Sequence, residues 1–570
     1  MNQTFNKVII GGLMLVSMSI WSQQKKGKDT IGTQSVVVIK SFNPTINDVH
    51  KIKENPKITD KSTADKMELE YQINSVPVPS TFTPKKTKPV ELTRDKSVKQ
   101  YDRYVRLGLG NYFNVDAEAF AEFDVARYTD LTLLLEYLSS KGGIKSVNYD
   151  HGFSDLNFLG SLENQSKRTG WSLDLGVSRE TYNWYGISDQ ISFSQEVIDN
   201  TDLKQRYLGI SISGDYKFDS ELIPKVGLAY HNFTNKYNSR EGNIVLTPEF
   251  NINTSSSLVK MPVVIDALFG SFDNPYTLIP FDNYGFVNIG VLPSMRMNFD
   301  EVNVEAGLKL FMSLNSNASG TNFHLYPNIE ATYQIPQSDI SVFGGLVGGL
   351  QQNTYREATQ DNPFAMPLLT IEPTSRAFNM FAGAKGSWKG NLSYEAQLSL
   401  ARDSNRPFWK QQPALIDNPA QAYSFANAFT YVYDRLTTIG LDLYTDYSLE
   451  KQYGFACHTA FMGYSVKNEA EAWNLPSVQA DVSANYYATP ELNISTYLVY
   501  TGAREAFDSI ANQAITLGGF FDANIKGSYV LNKQWQLSLM GNNLFSTNYQ
   551  LWQNYSVQGF QVLFGAKYKF

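Results

Sequence analysis

The last eleven residues constrain the fold more than any other stretch of the chain. From Phe560 to Phe570 they place Phe560, Val562, Phe564, Ala566, Tyr568 and Phe570 on one face of an extended backbone and Gln561, Leu563, Gly565, Lys567 and Lys569 on the other. Successive side chains of a strand point to opposite faces. A segment with one apolar, aromatic face and one mostly polar face therefore belongs between lipid and a wet interior. A chain made of such segments predicts an all-β fold, a transmembrane antiparallel β-barrel.

Bulk composition agrees. A length of 570 residues would give roughly two to four soluble domains, but one closed membrane sheet absorbs as many residues in a single barrel. With 14% aromatic and 18% charged residues and a mean hydropathy of −0.29, the chain is too polar for a bundle of membrane helices and unusually aromatic for a soluble protein. Alternating strands produce that mixture. At the front, Lys7, the apolar run Val8 to Ile20 and then Trp21-Ser22-Gln23-Gln24 read as a secretory signal peptide over residues 1–23. The run is shorter than the ~20 apolar residues of a spanning helix, and no comparable run follows it. Cys457 is the sole cysteine, so neither an internal disulfide nor a lipid-anchoring cysteine beside the cleavage site is expected, and the thiol reads as structural filler.

Charge divides the mature chain. Residues 24–100 carry 15 Lys or Arg against 9 Asp or Glu, a balance of +6, and with the leader at +1 the remainder holds −14 of the stated −7. The basic part, punctuated by Pro44, Pro56, Pro77, Pro79, Pro84 and Pro89, buries little and reads as a mostly irregular periplasmic or lumen-docked segment. Within it, Ser35 to Lys40 and, less clearly, Leu69 to Val78 suit short strands, and Asp48 to Lys57 a helical turn or two. Its cations are dispersed without aromatic interleaving, so no nucleic acid partner is expected.

Residues 101–570 form the expected barrel. Alternation is clearest at Trp171, Leu173, Leu175 and Val177, at Val302 to Met312, at Leu392 to Leu400 and at Val478 to Tyr486. Tight turns fall near Phe218 to Glu221, Phe299 to Glu301, Gln337 to Asp339, Lys389-Gly390, Thr489-Pro490 and Asn532-Lys533. Between them lie longer connections at 181–203, 269–282, 353–376, 403–434, 466–476, 504–515 and 547–556. Short and long connections alternate as they do when one end of each hairpin faces the periplasm, and counting through them predicts about 22 strands with both barrel ends periplasmic. The first hairpin, around Asn114 to Asp116, has the shortest outer connection.

That architecture resembles the barrel of TonB-dependent outer-membrane receptors. Gly541-Asn542-Asn543-Leu544-Phe545-Ser546-Thr547-Asn548-Tyr549 is similar to the family's penultimate-strand motif, and Phe564, Tyr568 and Phe570 resemble the terminal assembly signal of outer-membrane barrels. The resemblance implies a Gram-negative outer membrane, with Gln23-Gln24 and the aromatic, Asn-rich style resembling Bacteroidota proteins. It also implies lipid, lipopolysaccharide and the barrel assembly machinery as partners, and import of a bound nutrient. Family members carry a plug domain of well over a hundred residues, whereas 77 residues stand here between leader and barrel. Ser35, Val36, Val37, Val38 and Ile39 are similar to a TonB-contacting strand or suit a strand on the periplasmic rim. Obstruction of the lumen by residues 24–100 is the stronger expectation. Two further readings stay open: a non-transporting scaffold or accessory subunit of an assembly or secretion complex, and a passive channel.

Binding candidates are aromatic. Tyr182, Trp184, Tyr185 and Phe193 in one loop, and Phe408, Trp409, Tyr423 and Phe425 in another, suit stacking on sugar rings or a bulky apolar ligand, or an interfacial girdle. The histidines His50, His151, His231, His324 and His458 lack metal-site spacing, so no enzyme, metal or cofactor is expected, and His151 and His231 fall near outer strand ends. Gly344-Gly345, Gly348-Gly349 and Gly518-Gly519 are expected inside strands, at bends or close approaches.

Overall fold

The computed structural model describes residues 103–570 apart from 146, 167, 192, 255–256, 274–282, 317–319, 416–419 and 450–451. The leader, the basic segment with Ser35 to Ile39, and His50 lie outside the described residues. Strand neighbours in sequence pair antiparallel throughout, and the sheet closes on itself: Arg103–Gly110 pairs with Val115–Ala126 on one side and with the final strand Gln561–Lys569 on the other. Tyr284–Val291 and Ser294–Phe299 share the same two neighbours and are one strand interrupted at Leu292-Pro293, where proline supplies no ladder N–H. The barrel therefore has 22 strands.

The alternation read from sequence sets which face meets what. On Val302–Asn315 and Thr321–Gln334, Leu310 lies opposite Leu325 and Met312 opposite Phe323, with Phe323 77% and Leu325 67% exposed on the outer surface. Similar rows run round the barrel, for example Leu173 and Leu175, Ile210 and Ile212, and Leu228 and Tyr230. A soluble monomer tolerates exposed apolar patches of only a few hundred Å². A belt of this kind is a lipid-facing surface, with exposed Phe218, Phe299, Trp388, Tyr453, Tyr529 and Trp535 as an aromatic girdle at the short-turn end.

Arg103, Phe570 and the short turns share one end of the barrel, and the long connections share the other, here termed outer. An epitope tag within 412–428 is accordingly expected to be labelled on intact cells, and one at Asn532-Lys533 only after permeabilisation. Reversed labelling would invert the orientation.

The structure departs from the sequence reading at the outer end. Leu392–Gln411 and Phe429–Leu449 are 20 and 21 residues long, about twice the ~9–11 needed to cross, and stay paired up to Gln411 opposite Phe429. Only 412–428 of the expected loop 403–434 connects them. A bulge between Asp403 and Arg406, with Asn405 at φ 57, inserts a residue and flips the alternation, which is why the periodicity breaks there. The expected loop 504–515 likewise folds into the hairpin Arg504–Asp508 and Gln513–Leu517. Gly344, Gly345, Gly348 and Gly349 do sit inside Ile340–Gln351, where a Cβ on Gly348 would stand 2.8 Å from the carbonyls of Arg376 and Ala377 at a register shift. Gly518-Gly519 does not: it links Leu517 to Phe520, between strands.

Candidate functional site: a cap across the outer mouth

The connection between Ile340–Gln351 and Thr374–Trp388 folds into the barrel mouth. It opens with the short helix Tyr355–Asp361, capped by Thr354, whose hydroxyl oxygen accepts the Glu357 N–H at 3.1 Å. Pro363 and Pro367 then punctuate an irregular run, with a turn at Pro363-Phe364 and a bend at Pro367-Leu368, in which Phe364, Ala365, Met366, Leu368, Leu369 and Ile371 are at most 1% exposed. An apolar run of this density cannot stay in water, and what covers it comes from all round the mouth.

On one side, the Tyr207 hydroxyl donates to the Pro363 carbonyl at 2.9 Å and the Ser239 hydroxyl to the Pro367 carbonyl at 2.8 Å. The buried Glu241 carboxylate accepts the backbone N–H groups of Tyr355 at 2.6 Å and Arg356 at 3.1 Å, and the Tyr284 hydroxyl at 2.5 Å. On the other side, Phe429 N–H donates to the Phe364 carbonyl at 3.0 Å and Met366 N–H to the Phe429 carbonyl at 2.8 Å. The Tyr433 hydroxyl donates to the Thr370 carbonyl at 3.0 Å. Tyr207 lies on Lys204–Lys217, the sixth strand of the barrel, and Phe429 and Tyr433 on the sixteenth, nearly diametrically opposite among 22. The segment thus crosses the mouth.

Other outer connections lock onto it. The Phe364 ring stacks on Tyr555 at 3.5 Å between centroids, with Tyr185 edge-on to both. The Tyr555 hydroxyl donates to the Asn427 carbonyl at 2.5 Å, and Asn427 Nδ2 donates to the Trp184 carbonyl at 2.9 Å. The Asp361 carboxylate accepts Trp409 Nε1–H at 2.5 Å. The result is one apolar core shared by five outer connections, those carrying Ile144, Trp184, Phe364, Phe425 and Tyr555, and the strand ends beneath them.

The aromatic candidates converge here. Tyr182, Trp184, Tyr185, Trp409, Tyr423 and Phe425 all enter that core, and Phe193 packs against it, edge-on to Phe425 at 4.9 Å. Phe408 does not: it joins a second cluster with Leu436 and Trp473, on the opposite face of its strand from Trp409. Tyr182, Trp184, Tyr185, Phe408, Trp409 and Tyr423 are at most 6% exposed, so a ligand meets them only when the cap opens. Two indole N–H donors, of Trp184 and Trp552, are buried without an acceptor among the described residues. The run Phe364 to Ile371 was the signal missed: an apolar stretch flanked by prolines inside an expected loop marks a loop with its own core.

Elsewhere, His151 Nε2 accepts the Ile144 N–H at 3.4 Å beside Tyr185, His324 stacks on Tyr326, and His458 stacks on Tyr444 with Asp442 at 3.4 Å. His231 lies on Lys225–Asn235, beneath the outer rim. Among the described residues no group of three or more His, Cys, Asp or Glu is placed to hold a metal ion.

Burial pushes the carboxyls of Asp361 and Glu357 above their ordinary values, against the lowering effect of the hydrogen bonds that they accept. A carboxyl whose pKa is higher in the closed cap than in the open one stabilises closure fully below its open-state value and loses that contribution as pH rises through the closed-state value. Hydrogen exchange across 352–373 is therefore expected to quicken as pH is raised from about 4 to 7, after correction for the intrinsic rate, with the dependence reduced in Asp361→Asn. Slower corrected exchange at the higher pH would contradict it.

No family model matches the sequence, and no curated protein matches it either. Solved structures do match. The FrpB iron transporter from Neisseria meningitidis (F5-1 variant) superposes with a TM-score of 0.63 at 11% identity, over 83% of this chain and 83% of that one. The ferric-catecholate import receptor Fiu from E. coli K12 gives 0.59 at 11%, over 83% and 82%. Pyoverdine-bound FpvA from P. aeruginosa gives 0.59 at 12%, over 84% and 72%. At these identities the likeness is one of fold, and in fold the chain is similar to the closed 22-strand barrels of the TonB-dependent receptors that its last strands resemble.

Proposed function

We propose that the protein is an outer-membrane receptor that takes a nutrient ligand at its outer mouth and admits it through the barrel when the cap opens. The crossing of the mouth by residues 352–373 carries this reading. A 22-strand barrel encloses a lumen that needs an obstruction, and a passive channel has no use for a closure with its own apolar core. The buried rings of Tyr182, Trp184, Tyr185, Trp409 and Tyr423, with the unpaired indole donors of Trp184 and Trp552, are the surface offered to a ligand in the opened state. The shared fold with iron and siderophore receptors makes ferric siderophores the first ligands to try. Energy coupling through Ser35 to Ile39 and TonB belongs to the same proposal.

Uptake of iron-55 on a panel of catecholate, hydroxamate and mixed siderophores, compared between a deletion strain and its complemented parent, tests it. Loss of uptake of at least one member on deletion, restored by the wild-type chain and not by Val37→Pro, is the expected result. The competing reading is an accessory subunit of an envelope complex. Unchanged uptake across the panel, with stoichiometric envelope proteins co-purifying in mild detergent, would replace the first reading by the second.

A further inference from the structure

The lipid-side surface of the barrel is not evenly charged at its outer end. On Gly170–Asn183, Lys204–Lys217, Lys225–Asn235 and Arg240–Asn253, the fifth to eighth strands, exposed Leu173, Leu175, Ile210, Ile212 and Ile244 face lipid. Arg179, Lys204, Arg206 and Arg240 continue the same alternating faces towards the outer end and are exposed. Register gathers them. One rung of the sheet reads Arg179, Leu208, Thr234 and Arg240, and on the rung above it Arg206 lies opposite Thr181, while its carbonyl accepts the Lys236 N–H at 3.0 Å. By contrast, Val302–Asn315, Thr321–Gln334 and Ile340–Gln351 present no lysine or arginine on the lipid-side face.

The height of these cations is that of a lipid headgroup. The Tyr216 ring meets Phe218 of the short-turn girdle, with ring centroids 4.5 Å apart. At ~3.4 Å per residue and a tilt of about 35–45°, the strand climbs ~24–28 Å from Tyr216 to Arg206, matching the ~25 Å apolar band of an outer-membrane barrel. The protein leaves most of this charge unmatched. Asp202 is held by Lys236 at 2.7 Å, while the guanidinium groups of Arg179, Arg206 and Arg240 meet no hydrogen-bond or ion-pair partner among the described residues. Glu180 and Glu241 neighbour two of these arginines in sequence but stand on the inner face. Adjacent strands lie ~4.8 Å apart, so the three arginines spread over ~14 Å. Arginine pairs with phosphate through two parallel N–H donors, and a spread of that width suits a headgroup with more than one anionic group.

The same strand ends hold the cap from inside. Next to Arg206, the Tyr207 hydroxyl donates to the Pro363 carbonyl. On either side of Arg240, the Ser239 hydroxyl donates to the Pro367 carbonyl and the Glu241 carboxylate accepts the Tyr355 and Arg356 N–H groups. A headgroup that binds these ends in place, and not when they fray, stabilises the closed cap by mass action.

We propose that Arg179, Arg206 and Arg240, with Lys204 and Lys236, form a binding site for an outer-leaflet glycolipid whose headgroup carries at least two anionic groups, and that this lipid braces the cap from outside. Its acyl chains lie on the aliphatic rows below the patch. Such a brace acts on the cap itself and serves a receptor and an accessory subunit alike.

Native mass spectrometry and hydrogen exchange on the full-length protein, delipidated in mild detergent, test it with bisphosphorylated lipid A as the probe. Its affinity is expected to exceed that of phosphate-free lipid A, and that of phosphatidylglycerol with its single phosphate, at least tenfold. Saturation with it should slow exchange across 352–373 at least threefold. Arg179→Glu combined with Arg206→Glu and Arg240→Glu should remove both effects. Lys217→Glu combined with Lys389→Glu and Lys533→Glu, an equal change of charge at the short-turn end, should keep them. Heat-modifiability reports that each variant barrel is folded, and should the arginine variant fail to fold, Arg206→Gln alone is expected to lower the affinity severalfold. Equal affinity for phosphatidylglycerol would assign the patch to ordinary phospholipid. That result, undiminished binding in the folded arginine variant or in Arg206→Gln, or exchange slowed no more by bisphosphorylated than by phosphate-free lipid A would each overturn the proposal.

Discussion

Phe364→Asp is expected to open the outer mouth. The Phe364 ring is 1% exposed and stacked on Tyr555 at the point where the crossing segment, the 543–560 connection and the Tyr185 loop meet. Truncating a buried Phe costs ~3–5 kcal/mol, and a carboxylate left in its place adds the penalty of a buried charge. At 1.4 kcal/mol per factor of ten, the open cap should become at least about a thousandfold more populated. With residues 24–100 expected to obstruct the lumen as well, the measurement has two parts. Removing residues 24–100 alone should leave a barrel of low conductance in a planar bilayer, because the cap still spans the mouth. Removing them from the Phe364→Asp protein should produce large, long-lived openings and sensitise cells to bulky antibiotics. Phe364→Leu, which keeps the site apolar, should behave nearly as wild type. A freely conducting barrel with the cap intact and only 24–100 removed would show that the cap does not seal.

Phe570→Ala combined with Tyr568→Ala should lower the amount of folded, heat-modifiable barrel in the outer membrane severalfold or more. Gln561–Lys569 is the strand that closes the sheet: it pairs with Arg103–Gly110 on one side and Trp535–Asn542 on the other, and Phe570 N–H donates to the Arg103 carbonyl at 3.1 Å. The Tyr568 ring packs against Trp535 and Phe570, and Phe564 and Phe570 stand half-exposed on the outer surface. Until this seam forms, two long strand edges are left unpaired in the membrane, which lipid cannot satisfy. The family-like motif before it acts at the outer end. Asn543 Nδ2 donates to the Thr547 and Gln558 carbonyls, and Tyr549 stacks on Phe520 and donates to Asp522. Unchanged levels of the double variant would remove the terminal-signal reading.

The barrel was legible because its rule is local. Each strand must turn one face to lipid and the other to water, so a period of two, interrupted by turn residues, reports the strand count and the side of each connection with no knowledge of long-range contacts. Even Pro293, which splits one strand into two pieces, leaves its partners unchanged. Above the membrane the rule lapses. Phe408 and Trp409 are neighbours on one strand, yet both are buried, because other outer elements cover both faces of the projecting hairpin. Composition alone marked Tyr182, Trp184, Tyr185, Trp409 and Tyr423 as notable. That they share one core, and that the segment from Pro363 to Ile371 bridges the sixth and sixteenth strands to complete it, depends on contacts between residues far apart in the chain, which no period in the sequence encodes. The lumen wall lies between these cases. Alternation places each of Asp124, Asp130 and Glu163 on the inner face, but only the register of three strands sets them opposite one another. The sequence by itself determined the closed barrel, the barrel end on which each connection lies and the inward or outward fate of the residues in its membrane strands, because lipid and water impose them one residue at a time. Only the tertiary structure decided that the outer connections form a single cap, because its core is assembled by packing between segments that nothing local brings together.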